Sequence, residues 1–481
     1  MKLPSLLLAF GLACVSSARA ASDQVDFGKL ADGYFAKHKI EGKAPAETAM
    51  EDVLGTHYLL AEIGALDLRF PREFLDEKSA VDDFKTCLTA ALQIHEVFLD
   101  WIGASGEAAD KARADAADLR KFLKTARVAP GSHEAGSFFE ALGGASSIAP
   151  VVARFRDGFR GGASLGFEPL SGRVQIVMVA PTRQHFLELA GVLGQIQEGA
   201  RSLYWNDQLI NWTEFGWNEI QVVATQYPPL RVKTDDFSEG VAMNAKEATG
   251  LQQHVGQRVG MALCWYAFGS SLDPAFELAI AQTMVIDVYG ENNTRSGGSG
   301  RSNFVGAMEA FIPGGNSNGG ALPPGNAESA WRSTNGKDYF VKPLAAGQSA
   351  GAKGGAKLKE EKQSYFELHG DDTSGRFYVR APFLGSAAQG KELPAAEFLS
   401  DYLEFFRAYK TGFVHWLREK SSAKPGEAKA LFAKLLREVA VAGGGASFEE
   451  VVAEVYKVPY SAVDFGKDTL ERRFLAWLDT Q

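Results

Sequence analysis

His254 opens a stretch whose residue types have to be sorted between chemistry and core. It lies in "LQQHVGQRVGMALCWYAFGSS", which runs on into "LDPAFELAIAQTMVIDVYG". A helical imidazole becomes a metal ligand when a second histidine stands four residues on, one turn along the same face. A glutamate beside the first histidine then takes a proton from metal-bound water, and a third ligand comes from elsewhere. Here Val255 holds the glutamate's place and Arg258 that of the second histidine. A guanidinium one turn from His254 is a fixed positive charge that opposes a divalent cation. Against the chemical reading, Leu251, Val255, Val259 and Leu263 recur every fourth residue. That apolar stripe accounts for the helix as core, with His254 as a hydrogen-bonded structural histidine.

The elements that would position these residues are well bounded. Asp273 is the expected N-cap of the second helix, Pro274 its first residue and Gly290 the residue after its end. Glu277 supplies a carboxylate in the first turn, beside Pro274 and Phe276. Elsewhere, "IHEVFLD" has His95-Glu96 with Leu99 in place of a second histidine, and His133-Glu134 also lacks one. "FELHGDD" groups Glu367, His369, Asp371 and Asp372, which read as a solvated turn before they read as a chelate. No GxSxG elbow and no CxxC pair is present, which leaves no serine-hydrolase or thiolate-zinc signature.

The first twenty residues, "MKLPSLLLAFGLACVSSARA", have a basic start at Lys2, an apolar run from Leu6 to Val15 and a small-x-small site at Ala18-Arg19-Ala20. This pattern predicts export with cleavage near Ala20. Gly11, three residues before Cys14, is not the aliphatic residue that lipidation needs. Cleavage removes Lys2 and Arg19, taking the net charge from -9 to near -11, which argues against nucleic acid as a partner. No later segment has the apolar length of a transmembrane helix. Cys87 and Cys264 remain after cleavage; a single disulfide and two buried thiols both fit their apolar helical settings.

Along the chain, residues 22–128 read as mainly helical, interrupted by a β-hairpin around Gly64. Within them Phe84, Leu88, Leu92, Val97 and Trp101 mark one long helix ending at Gly103, and "EAADKARADAADLRKFLKTAR" an Ala-rich surface helix. Residues 135–290 change to α/β: "RVQIVMVA" is a strand, "TRQHFLELAGVLGQIQ" a helix capped by Thr182, and three short strands follow. Tyr204, Trp205, Trp212, Phe215 and Trp217 crowd this part and are expected to pack as sheet core. Residues 291–363 are rich in Gly, Ser and Asn and are expected to be flexible, their "GGSG" lacking the strand-loop-helix context of a phosphate loop. Residues 376–481 read as helical again, with a capping box from Ser447 to Glu450.

On the stretch from His254 to Gly290 the chain resembles the gluzincin core of peptidase MA-like exported proteins. The order of parts and the closing "LERRFLAWL" are similar as well. In that group the third zinc ligand is a glutamate in a Pro-x-Trp-x-x-Glu-Gly pattern. Pro274 and Phe276 match its start, while Ala279 and Ile280 stand where Glu-Gly would be. Glu277 is two residues short of the ligand position, about 200° around a helix. The resemblance therefore implies an α+β fold, with a small mixed sheet packed on a zincin-like two-helix core between helical N- and C-terminal parts. It also implies a degenerate site, with His254, Arg258 and Glu277 as its remnants, no zinc and no other cofactor. The expected function is a non-catalytic, exported, binding or envelope-associated role with a protein or peptide ligand. An active metallopeptidase with unconventional ligands and a structural envelope protein without a ligand are the alternatives.

Overall fold

A computed structural model describes residues 27–40, 55, 57–144, 146–196, 214–217, 220–225, 230–234, 237–241, 251–272, 274–290, 367–371, 376–380, 392–394, 413–424, 426–460, 468–470, 473–474 and 477. The signal pattern, the Gly/Ser/Asn-rich stretch 291–363, Asp273 and the aromatics Tyr204, Trp205 and Trp212 lie outside the described residues. The chain forms two compact units. The first comprises Ser17–Leu99 and Ala104–Ala267, and the described residues of the second fall within Asp100–Gly103 and Phe268–Gln481.

In chain order the first unit contains α1 (Phe27–His38), β1 (Tyr58–Ile63), β2 (Leu66–Pro71), α2 (Lys78–Trp101), α3 (Glu107–Thr125), the single turn α4 (Phe138–Ala141) and α5 (Ala149–Arg160). It continues with β3 (Gln175–Ala180), α6 (Arg183–Ile196), β4 (Glu214–Trp217), β5 (Ile220–Ala224), β6 (Leu230–Thr234), β7 (Phe237–Val241) and α7 (Leu251–Phe268). α2 and α7 end a few residues into the second unit. β1 to β5 form one mixed sheet in the order β1-β2-β3-β5-β4, while β6 and β7 make a separate hairpin. The outer pairs are antiparallel and the inner ones parallel, with Leu66 opposite Gln175 and Ile176 opposite Ile220. The central strands β3 and β5 are almost wholly buried, as parallel strands covered on both faces require.

The expected hairpin is the rim of this sheet. Ile63 pairs with Leu66, leaving Gly64 and Ala65 as the two-residue loop, and Gly64 takes φ +54°, a left-handed conformation that favours glycine. The register sets Glu62 opposite Asp67, a like-charge pair that would repel on its own. α5 answers it. Arg160 donates to Glu62 (3.2 Å), to Asp67 (2.5 Å) and to the Gly64 carbonyl (3.1 Å), while Arg156 adds a second bond to Glu62 (2.8 Å). A guanidinium fork joins two facing carboxylates and the turn between them.

α6 covers one face of the sheet. Phe186, Leu189, Ala190 and Leu193 pack on Met178, Ala180, Ile220, Val222 and Ala224. Burying a side chain such as Phe186 contributes about 1.5–3 kcal/mol. Thr182 caps the helix as expected, accepting from the His185 N–H at 3.1 Å. α2 is enclosed nearly all round: Phe84, Cys87, Leu88, Ala91, Leu92, Ile94, His95 and Phe98 are buried, and Val97 is half-buried. α3 is a surface helix that buries an alanine-lined face.

The second unit holds α8 (Pro274–Tyr289), a three-stranded antiparallel sheet of β8 (Glu367–Asp371), β9 (Arg376–Arg380) and β10 (Glu392–Pro394), a helical run 413–419, α9 (Glu427–Ala442) and α10 (Phe448–Tyr456). These strands correct two expectations. "FELHGDD" is not a turn through Asp371, and the helical C-terminal region does not begin at 376. "RFYVR" is aromatic and β-branched, and it pairs on both sides. The capping box of α10 is present, with the Glu450 N–H donating to Ser447 Oγ at 3.2 Å and the Ser447 N–H to Glu450 Oε2 at 2.8 Å. Gly290 ends α8 at φ +77°, its N–H bonded to the Ile286 carbonyl at 2.7 Å.

Within this unit the end of α2 is a keystone. The Trp101 indole N–H donates to Asp287 Oδ2 at 2.8 Å, the Arg418 guanidinium lies 4.4 Å over the indole ring, and Arg418 also meets Asp287 at 3.0 Å. Phe432 of α9 packs edge-on against the same ring at 5.5 Å. Arg437 donates to the carbonyls of Ile102 (2.6 Å) and Gly103, satisfying the open end of the helix. The architecture is thus α+β: a small mixed sheet in a mostly helical chain. Among the described residues no helix is long and apolar enough to cross a membrane.

Candidate functional site

His254 is buried on α7, and Val255 beside it is wholly buried, part of the apolar stripe with Leu251, Val259 and Leu263. Arg258 turns toward the sheet and donates from Nη1 to Gln221 Oε1 at 3.2 Å. Strand alternation places Gln221 on the face opposite Val222, so α7 meets the side of the sheet that α6 does not cover. The residue in the second-ligand position therefore ties helix to sheet. Glu277 lies half-buried in the first turn of α8, with Ala279 buried behind it.

This donor set does not fit a zinc centre of the gluzincin kind. One imidazole remains, the second ligand is a cationic side chain engaged with Gln221, and the base position is a buried hydrocarbon. Among the described residues no group of three or more His, Cys, Asp and Glu side chains is arranged to hold a metal. Cys87 and Cys264 are buried thiols rather than halves of a disulfide.

Three other histidines resolve differently. His95 is fully buried, its Nδ1 hydrogen-bonded to the Ala91 carbonyl at 2.7 Å, and burial pushes its pKa down to about 4. Its neighbour Glu96 pairs with Arg120 at 2.5 Å. His133 lies near the surface against Asp76 at 3.1 Å. For His369 the structure describes only the backbone, in β8.

The structure also brings together a polar cluster that no short motif announces. Tyr34 of α1 shares a 2.7 Å hydrogen bond with Tyr58 of β1, and the Tyr58 hydroxyl lies 3.2 Å from His185 Nε2 on α6. On its other side His185 Nδ1 is 3.8 Å from Glu188. Hydrogen bonds thus join Tyr34, Tyr58 and His185 Nε2 in one chain, with the Glu188 carboxylate beyond the other ring nitrogen. Burial first, then hydrogen bonding to Tyr34 and the charges nearby, keeps the Tyr58 phenol protonated. Burial likewise raises Tyr34, against the hydrogen bond from Tyr58. Burial also pushes the Glu188 carboxyl up, but His185 and Gln184 outweigh it and hold the group below the usual range. The Tyr34–Tyr58–His185 chain ties together three elements, α1, β1 and α6.

At its edge, His38 stacks on Tyr34 at 4.3 Å and on His57 at 4.5 Å, near the Lys37–Glu73 ion pair at 2.7 Å. Burial first, then the nearby His57 and Lys37, brings His38 down to about 4, against the pull of Glu73. The only local signals were Tyr34 and His38 one helical turn apart and His185-x-x-Glu188. Nothing in the sequence links these to "THY" at the start of β1.

No protein-family model matches the chain, and no curated protein and no solved structure matches it.

Proposed function

We propose that this chain is an exported, non-catalytic protein that carries a metallopeptidase-like helix pair as scaffold and serves the cell envelope by binding a protein or peptide. The observation that supports the non-catalytic part is Arg258. Its guanidinium is bonded to Gln221 where a zinc peptidase keeps its second histidine, beside a buried Val255 where the base belongs. Export is supported by Lys2, the apolar run to Val15 and Ala18-Arg19-Ala20.

Elemental analysis of purified protein tests the first part. No stoichiometric zinc is expected, and His254→Ala leaves any peptidase signal in the sample unchanged. Near one zinc per chain, lost in His254→Ala, overturns the reading. Tight binding requires Val255→Glu, Arg258→His and Ala279→Glu together, because a catalytic zinc needs about three protein ligands and an open position. For export, N-terminal sequencing of protein from the producing cell is expected to begin at Ala21. A retained leader or a lipid on Cys14 refutes it.

A further inference from the structure

We infer that α1 is an acid-released element: protonation of His38, stacked on His57, undocks helix 27–38 from α6 while the sheet and α2 stay folded.

The helix depends on its docking against α6. It has twelve residues, a length at which an isolated helix is marginal in water. Its fully buried side chains are Ala31 and Tyr34, which meet Val192 of α6, with Phe35 and Ile40 packed partly against them. Polar anchors are the bond between Tyr34 and Tyr58 and the Lys37–Glu73 ion pair. An element docked chiefly on one neighbour opens at a fraction of the cost of global unfolding.

The histidine pair sits where a charge is worst placed. His38 Nε2 is buried and makes no hydrogen bond, so a proton there adds a buried donor without an acceptor. The groups facing it come from every neighbouring element: Tyr34 and Lys37 on α1, His57 before β1, Tyr58 on β1, Glu73 in the 3-10 turn Arg72–Phe74, and His185 and Glu188 on α6. Among the described residues the nearby carboxylates are shared with other cations, Glu73 with Lys37 and Glu188 with His185. The His57 ring packs against it at 4.5 Å and offers no negative charge.

The sign follows from linkage. Docked His38 titrates near 4 and a solvated histidine near 6.5, so the undocked state binds more protons between these values. Docking is therefore strongest above pH 6.5 and weakens as the pH falls toward 4.

Hydrogen exchange followed by mass spectrometry on the full chain, at pH 7 and pH 5 and corrected for intrinsic rates, reads this directly. Protection of amides 31–38 is expected to fall about twenty-fold, with α2 amides unchanged; one proton allows at most about ten-fold per pH unit. In His38→Gln, and independently in His38→Phe, which keeps the ring stacking, the fall disappears while α2 protection certifies the fold. Flat α1 protection from pH 7 to pH 5 overturns the inference. So does a loss that α2 shares, or a full loss that persists in both folded variants.

Discussion

Gly64→Ala is expected to lower the unfolding free energy by about 3–5 kcal/mol, a sum of backbone strain and overpacking. At φ +54° the alanine must adopt a left-handed conformation. Its Cβ would also meet His95 Nε2 at 2.5 Å and Phe159 at 3.2 Å, and neither can retreat. His95 is held by its bond to the Ala91 carbonyl and stacks against Phe155 and Phe159. Chemical denaturation of the variant measures the loss, and a double variant with His95→Ala separates the two causes. The double variant should recover part of what the clash costs and none of the backbone strain. A change under about 1 kcal/mol in Gly64→Ala alone means that the loop relaxes and the contact is not rigid.

Trp101→Ala is the second large effect, expected to cost about 3–5 kcal/mol in the unit that contains α8 and α9. The indole is buried, packs on Phe432, lies under Arg418 and donates to Asp287. Its removal leaves a cavity and strips Asp287 of one donor. Trp101→Phe keeps most of the volume and loses the N–H, so it should fall near 1–2 kcal/mol, the range for one hydrogen bond. Equal losses in the two variants would show that the hydrogen bond and not the packing dominates. Differential scanning calorimetry, which resolves separate transitions, is the appropriate readout.

Much of the scaffold was legible because its signals are local. Thr182 before α6, the Ser447–Glu450 box and Gly290 after α8 each fix a helix end with residues a few positions apart. Gly64 marked the hairpin for the same reason. β8 and β9 were missed because "FELHGDD" is rich in turn residues, and strand pairing rather than composition decided its conformation. The polar cluster was not legible at all. Tyr34, Tyr58 and His185 are joined only after β1 and α6 come to share a core, and each residue reads as ordinary in its own segment. Arg258 stood out in the sequence one turn from His254, but its partner Gln221 depends on how α7 crosses β5.

The parallel pairing of Leu66 with Gln175 has a consequence for how the chain comes into being. β1 and β2 close on each other as soon as both are made. The outer edge of β2 then faces no strand until β3 emerges, with the whole run from α2 to α5 in between. At a synthesis rate of about 5–20 residues per second that edge stays open for roughly 5–20 seconds. An open apolar edge is a template for pairing with another chain. A nascent chain thus spends those seconds with one edge of β2 bare, and the sheet cannot be completed on that side until residue 180 is free.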